Sequence, residues 1–281
     1  MHPAQRPASR RPERRVTAVG RITSDVGGPA QDGDDKWMMT LKKASTPLRI
    51  RLFCFPYAGG SPELFRPWAD GLDEGVELVA VRLPGRGRRL REAPYSNWKA
   101  LLDDTFAALA PYLSEPHAFY GHSFGGRLAY ELVHRTTKVP GAQTRGLFVS
   151  GCRSPDTPQA RPYMHEMSED GFLDAVRGMG GTPSEILDNK IMKRLFLPVM
   201  HAEIRLAELW DDRHGTGVDV PVTAMYGRED HIDGRANMSG WQAFSLRACE
   251  LLEMPGGHFF LETHRQQLLE VIHARLGAPN R

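Results

Sequence analysis

The chain has 281 residues, enough for one large domain or two small ones with a sizeable apolar core. Its 41% hydrophobic and 25% charged residues are typical of a globular protein, and no run of 18 apolar residues predicts a membrane-spanning helix. Residues 1–46 carry nine of the 36 basic and five of the 34 acidic side chains, so the rest of the chain is slightly negative. We therefore expect neither nucleic acid nor a membrane as a partner.

Residues 1–46 are rich in Pro, Gly, Arg and Asp and show almost no apolar periodicity. Such a segment buries too little apolar surface to offset the entropy lost on ordering. We predict a disordered extension over 1–46, to which no function is assigned, followed by one domain over 47–281. Met38 or Met39 is an alternative start of the chain.

The N-terminus is rich in arginine but lacks the apolar core of a signal peptide, so no secretion signal is predicted. Three cysteines, Cys54, Cys152 and Cys249, stand singly in apolar surroundings without metal-ligand spacing. This pattern favours buried, reduced thiols and a cytoplasmic protein.

The first predicted strand covers residues 48–55, which alternate at first and then become continuously apolar. It leads into a loop over 56–61 whose adjacent glycines leave backbone N–H groups open to close approach by a ligand. N–H groups in such a loop can hold a negatively charged oxygen, and we assign this role of oxyanion donor to the Ala58 N–H. An ordinary turn is the alternative. Ser61 and Pro62 then predict the start of a helix.

A second strand is predicted over 76–83, and it runs into a cluster of five arginines within ten residues. A solvated loop is the usual interpretation of such a run. The functional alternative is a docking patch for an acidic partner or a phosphate, formed by Arg86, Arg88 and Arg89. Ser96 then predicts the cap of a helix with a core-facing apolar stripe.

A G-x-S-x-G sequence spans residues 121–125, with Ser123 at its centre. An apolar run at 117–120 predicts a strand and residues 127–134 predict a helix, so the serine falls on a sharp strand-to-helix turn. Only small flanking residues avoid a clash there. The N–H groups at the helix N-terminus point toward any negative charge that forms at the serine. The Phe124 N–H is the first of them and is the other predicted oxyanion donor. A glycine-rich turn with a solvent-facing serine is the alternative.

A strand at 146–150 is followed by some 60 residues of mostly helical pattern before the next strand at 220–226. A simple crossover needs far less chain, so we predict a helical insertion, a lid, over about 154–216. Thr182 to Glu185 reads as a capping box that begins one of its helices. Five methionines in the insertion suit either an adaptable acyl-binding surface or ordinary core packing.

Two further chemical groups follow predicted strands. Asp230 comes directly after the strand at 220–226, and His258 follows the last strand at 249–254 and a Gly-Gly loop. A final helix ends at Gly277. Because the carboxyl ends of parallel strands are where α/β sheets bind ligands, Ser123, Asp230 and His258 are expected to meet there.

These three residue types form a complete nucleophilic set. A serine hydroxyl is too weakly acidic to attack alone, so His258 takes its proton, and Asp230 orients the imidazole and stabilises the imidazolium. The order Ser, acid, His is that of α/β-hydrolases. Asp233, three residues further along the same loop, is the alternative acid. His122 is expected to point away from Ser123 at the turn.

The segments FCFPYAGGS, LPGRGRR, FYGHSFGG, the YGxxD strand end and PGGHFF together resemble the type II thioesterases that serve polyketide synthases and nonribosomal peptide synthetases. The resemblance runs from about Leu48 to the C-terminal helix, and the preceding tail has no counterpart in it. It implies a stand-alone α/β-hydrolase fold, with a mostly parallel sheet, helices on both faces and a mobile helical lid. It also implies that Ser123, Asp230 and His258 form the triad and that Ala58 and Phe124 supply the oxyanion donors.

The resemblance further implies cleavage of acyl thioesters from the phosphopantetheine arm of carrier proteins, which releases stalled or misprimed chains. Carrier proteins are acidic, which favours docking on the arginine loop. No metal or organic cofactor is expected, since the pantetheine arm belongs to the substrate, and nothing demands more than a monomer. An acyltransferase or a small-molecule carboxylesterase with the same triad is the alternative activity, and a non-catalytic binding protein of this fold is a remote one.

Overall fold

A computed structural model describes residues 35–211 and 214–277 of the chain. Across these residues one seven-stranded sheet runs in the order β1-β3-β2-β4-β5-β6-β7. Its strands are β1 (Met38–Lys42), β2 (Ile50–Phe55), β3 (Val76–Val81), β4 (His117–His122), β5 (Thr144–Ser150), β6 (Val222–Gly227) and β7 (Cys249–Met254). All neighbouring strands are parallel except β1 and β3, which are antiparallel. The predicted mostly parallel sheet is confirmed.

The sheet is covered on both faces, which explains the continuous apolar runs in its strands. Every residue of β2, β4 and β6 is buried. The helices are α1 (Trp98–Leu109), α2 (Phe124–Thr136), α3 (Glu169–Met179), α4 (Ser184–Asp188), α5 (Lys190–Glu208), α6 (Arg235–Met238), α7 (Phe260–Thr263) and α8 (Arg265–Gly277). Among the helices in the described part of the chain, none is long and apolar enough to cross a bilayer.

Two apolar clusters hold the helices against the sheet. Residues of α1 and α2, together with Trp241 and Phe244, pack in one cluster. Phe65 and Trp68, from a 3₁₀ helix at Pro62–Gly71, pack with Leu268 of α8 in the other. Ser61 and Pro62 begin their helix where predicted, although the helix is 3₁₀. The next helix is capped by Asn97, whose side chain accepts a bond from the Ala100 N–H at 2.9 Å, and not by Ser96.

The helical insertion lies between β5 and β6 and contains α3, α4 and α5. It has an apolar cluster of its own, with Phe172 and Leu173 of α3 against Met200 and Ile204 of α5. Helix α4 begins after Pro183, so the capping box predicted at Thr182 does not form. The helical nature of this segment agrees with the sequence, and residues 212–213 of the predicted span lie outside the described residues.

The predicted disorder of residues 1–46 is wrong for residues 35–46. Strand β1 pairs antiparallel with β3, with Met38 opposite Val81, so the domain begins before residue 47. Met38 is buried, and the guanidinium of Arg89 lies 3.7 Å from the ring centroid of Trp37. These few apolar side chains lie at the end of a mostly polar segment. The prediction of disorder was based on the average composition of residues 1–46, which does not show a short apolar stretch at one end. Residues 1–34 lie outside the described residues. Of the three cysteines, Cys54 and Cys152 are buried and Cys249 is only partly so.

We expect strand β1 to contribute to stability through Met38. Replacing Met38 by Ala should lower the free energy of unfolding by about 2 kcal/mol, because a buried side chain is removed from the edge of the core. Thr40→Ala, at an exposed position of the same strand, should change it by less than about 0.5 kcal/mol. Urea denaturation followed by circular dichroism measures both. Equal effects of the two substitutions would show that β1 does not pack on the domain.

Candidate active site

Ser123 lies on the turn between β4 and α2 with φ 54° and ψ −116°, and it is the non-glycine residue with positive φ in the described part of the chain. Its N–H donates to the Ser150 carbonyl oxygen at 2.8 Å, which ties the turn to β5. A Cβ on Gly121 would lie 2.6 Å from the Gly126 nitrogen, and one on Gly125 would lie 2.5 Å from the Pro56 carbonyl oxygen. The flanking glycines are therefore required sterically, as the motif predicted.

Asp230 and His258 meet at the same edge of the sheet. His258 Nδ1 lies 2.8 Å from Asp230 Oδ2, and both residues are buried. The other carboxylate oxygen, Oδ1, accepts bonds from the Ile232 N–H at 2.7 Å and the Asp233 N–H at 2.9 Å. Burial raises the pKa of Asp230, but the bonds from His258 and from the two N–H groups outweigh it and leave the pKa below its usual value. Asp230 is thus a fixed carboxylate that orients the imidazole.

The alternative acid, Asp233, has different partners. Its Oδ2 lies 3.4 Å from Arg127 Nη2, and its Oδ1 accepts from Asn237 Nδ2 at 3.2 Å. Both Asp233 and Arg127 are buried. The Asp233 carboxylate is therefore engaged by Arg127 and Asn237 and not by His258, which favours Asp230 as the predicted partner of the imidazole.

His122, beside the serine in sequence, packs against the His258 ring at a tilt, with 4.9 Å between the ring centroids. Its Nδ1 lies 2.8 Å from Ser150 Oγ, which in turn lies 2.7 Å from the Tyr120 hydroxyl. Complete burial holds the pKa of His122 well below its ordinary value, so the ring is neutral. The contact between the His122 and His258 rings could not be predicted from the spacing of these residues in the sequence.

The two predicted oxyanion donors belong to the start of α2, directly after Ser123, and to the loop after β2. Phe124 is the first residue of α2, where backbone N–H groups have no intrahelical acceptor. Ala58 follows β2 and lines the same cavity as Ser123 and His258. The loop carrying Ala58 turns sharply, since the Gly60 N–H donates to the Tyr57 carbonyl oxygen at 2.8 Å. The predicted loop and helix start therefore meet at the serine.

A cavity of about 680 Å³, including its open mouth, lies between the helical insertion and the residues Ala58, Ser123 and His258. Its sheet edge supplies Ser123 and His258, and the insertion supplies a mainly apolar wall. The apolar lining from the insertion consists of Met164, Val176, Met179, Met200, Ile204 and Ala207. Such a cavity can hold an acyl chain next to the serine. Of the five methionines in the insertion, three line this wall.

The predicted docking patch is wrong for two of its three arginines. Arg86 is buried, pairs through Nη2 with Glu203, and donates through Nη1 to the Gly60 carbonyl oxygen. Arg89 is 2% exposed and donates to the Arg82 carbonyl oxygen at 3.0 Å. A buried guanidinium cannot contact a partner protein, and Arg88 alone of the three is exposed. The sequence showed the charge but not the acceptors that the fold brings to it.

Comparisons with known proteins agree with this geometry. Residues 50–276 match the family model described as a thioesterase domain. Thioesterase PikA5 of Streptomyces venezuelae is 30% identical over 82% of this chain and 84% of its own length. RedJ, a thioesterase from the prodiginine biosynthetic pathway of Streptomyces coelicolor, is 34% identical with a TM-score of 0.75, over 83% of this chain and 94% of that one. BorB, a type II thioesterase from the borrelidin biosynthetic cluster, is 28% identical with a TM-score of 0.79, over 87% and 99%.

The matches to RedJ and BorB, which come from the prodiginine pathway and the borrelidin biosynthetic cluster, confirm the predicted α/β-hydrolase fold. The family model extends over most of the chain, from β2 into α8. The chain therefore belongs to the thioesterase domain family and is a thioester hydrolase.

Proposed function

We propose that the chain is a serine thioesterase that removes acyl groups from the phosphopantetheine arm of acyl or peptidyl carrier proteins, releasing stalled or misprimed chains. The observation that carries the proposal is that Ser123 lines the same largely apolar cavity as His258, whose imidazole is paired with Asp230. The type II thioesterases among the related structures support the substrate class. No cofactor is needed for this chemistry, because the pantetheine arm arrives with the substrate.

In the first half of the reaction, Ser123 Oγ attacks the thioester carbonyl carbon and His258 accepts the hydroxyl proton. The tetrahedral intermediate collapses as the carbon–sulfur bond breaks, and His258 returns the proton to the departing thiol. The acyl group is then held as an ester on Ser123. In the second half, water attacks this ester with His258 as the base, and the free acid leaves.

Asp230 and the backbone supply the electrostatics of these steps. The Asp230 carboxylate accepts the Nδ1–H bond of His258, which leaves Nε2 as the proton acceptor and stabilises the imidazolium. The Ala58 and Phe124 N–H groups hold the oxyanion of the tetrahedral intermediate. The positive end of the α2 dipole adds to this stabilisation at Ser123.

The helical insertion acts as a lid over the acyl chain. Its cavity wall is formed largely by Met and aliphatic side chains, which fit an acyl group without specific polar recognition. Closing the lid excludes water from the ester until the thiol has left. An acidic carrier protein, a monomeric enzyme and a cytoplasmic location stay predictions.

Other activities use the same triad. An acyltransferase leaves the acyl group on a second acceptor, and a small-molecule carboxylesterase makes no distinction between carrier-bound and free substrates. A non-catalytic binding protein has no use for a strained serine with a hydrogen-bonded Asp–His pair behind it. Product analysis separates the first two alternatives from hydrolysis.

Replacing Ser123 by Ala should lower kcat by about 10⁶-fold, because the nucleophile that the other two residues serve is removed. The measurement compares kcat/KM for one acyl group on a holo-carrier protein and on N-acetylcysteamine, with the variant as blank. We expect a strong preference for the carrier-bound form, with free acid as product. Equal kcat/KM values for the two substrates would contradict recognition of a carrier protein, and turnover near the wild-type rate in the variant would contradict the mechanism.

The two neighbouring aspartates should behave differently. Asp230→Asn should lower kcat by about 10⁴-fold, because an amide no longer fixes the imidazole in the reactive tautomer. Asp233→Asn keeps the Asp230–His258 bond and should lower kcat by about tenfold or less, while reducing stability through the loss of its pair with Arg127. Steady-state kinetics with an N-acetylcysteamine thioester, together with thermal unfolding of each variant, decides between them. A larger kcat loss in the Asp233 variant would reverse the assignment.

A further inference from the structure

We propose that Glu203 of α5 is a positioning residue for the oxyanion hole, which holds the loop carrying Ala58 in its productive conformation together with Arg86. Catalytic competence then depends on α5 being seated on this loop. The inference deepens the proposed function and rests on it, since it concerns how the lid and the oxyanion donor are coupled.

The contacts are direct. Glu203 Oε2 accepts a hydrogen bond from the Gly59 N–H at 2.7 Å. Its other oxygen, Oε1, pairs with Arg86 Nη2, and Arg86 Nη1 donates to the Gly60 carbonyl oxygen. Glu203 is 4% exposed and Arg86 8% exposed. The two buried side chains therefore bind both residues that follow Ala58. Glu203 accepts from the N–H of Gly59, and Arg86 donates to the carbonyl oxygen of Gly60.

These bonds act on a tight turn. The Gly60 N–H bond to the Tyr57 carbonyl oxygen closes a four-residue turn with Ala58 and Gly59 at its centre. Gly59 has φ 75°, the value that a type II turn requires at its third residue. Type I and type II turns differ by a flip of the central peptide, here the peptide between Ala58 and Gly59. The Glu203 bond to the Gly59 N–H stabilises one of these two orientations. It thereby holds the turn on which the Ala58 N–H, carried by the preceding peptide, is presented.

Helix α5 also packs on the same loop. A Cβ on Gly59 would lie 2.9 Å from Met200 Cε and 2.9 Å from Phe196 Cζ, so the helix lies directly over the turn. Ala58 packs against the apolar cluster of the insertion, to which Met200 belongs. The helix that closes the acyl cavity is thus the helix that holds the oxyanion loop. Movement of α5 away from the sheet removes the acceptor of the Gly59 N–H and the partner of Arg86 at once.

Burial makes this pair sensitive to loss of either member. Desolvation raises the pKa of Glu203, and the charge of Arg86 and the Gly59 N–H act against that rise. Removing one partner of a buried ion pair leaves the other uncompensated, so each single substitution disturbs the loop. The arrangement explains why an arginine from the loop after β3 is buried here and not exposed to a carrier protein.

The test measures transition-state stabilisation separately from folding. Glu203→Ala should lower kcat by about 10²-fold with KM changed by less than about threefold, as expected when an oxyanion donor is misplaced. An alkyl trifluoromethyl ketone forms a hemiketal with Ser123 whose oxyanion occupies the hole. Its Ki should rise by the same factor as kcat/KM falls. Glu203→Gln keeps an oxygen that can accept from the Gly59 N–H, and it should retain more of the wild-type kcat than Glu203→Ala.

The matched control is Glu131→Ala. Glu131 is a buried carboxylate of α2 that accepts from Trp210 Nε1 at 2.8 Å and lies 2.8 Å from His214 Nε2, away from the Ala58 loop. It should lower the melting temperature without raising the Ki of the ketone, with every variant assayed where circular dichroism shows it folded. A Ki for Glu203→Ala within twofold of wild type, or raised no more than in the Glu131 variant, would overturn the proposal.

Failure of the proposed function gives a different result. If the wild type cleaves a p-nitrophenyl ester through Ser123 but not a carrier-bound thioester, the carrier assignment fails, and the Glu203 comparison is made on the ester. Parallel loss of kcat and of ketone affinity on that substrate still supports the positioning role.

Discussion

The strained backbone of Ser123 is the constraint on which the site depends. A non-glycine residue at positive φ costs about 1–3 kcal/mol, and it persists only where its surroundings hold it. Here β4 and α2 are fixed by two packed cores, the serine N–H is bonded to Ser150, and glycines at 121 and 125 leave no side chain in the way. The sheet thus presents the hydroxyl at its edge, and it also places the first N–H groups of α2 beside it.

Three buried pairs of ionisable side chains surround the site. Asp230 with His258, Asp233 with Arg127, and Glu203 with Arg86 are ionisable pairs in which all members are nearly inaccessible to solvent. The two arginine–carboxylate pairs are weak sources of net stability, because desolvation opposes the attraction of the charges. The pairs instead fix the orientation of side chains and loops at the site. One orients an imidazole, one holds the neighbouring loop, and one grips the turn that carries Ala58.

The helical insertion forms one wall of the cavity at Ser123 and also contacts the loop that carries Ala58. Its helices have an apolar cluster of their own, and they meet the rest of the domain along the cavity, over the Ala58 loop and through Leu206 of α5, which is buried in the cluster that contains α2. In our proposal the hydrogen bonds of Glu203 link the seating of α5 on this loop to the binding of the oxyanion.

Local patterns in the sequence were enough to predict the fold class and the candidate catalytic residues. Apolar runs marked the parallel strands, glycines marked the turn at Ser123, and Asp230 and His258 stood directly after strands whose carboxyl ends must share one edge. Tertiary structure decided the rest. Strand β1 gains its order from pairing with β3, and the Asp233 carboxylate is engaged by Arg127 and not by His258. Arg86 is buried because Glu203, 117 residues away in sequence, lies next to it in space. Long-range contacts of this kind leave no periodicity or spacing in the chain, so only the folded arrangement reveals them.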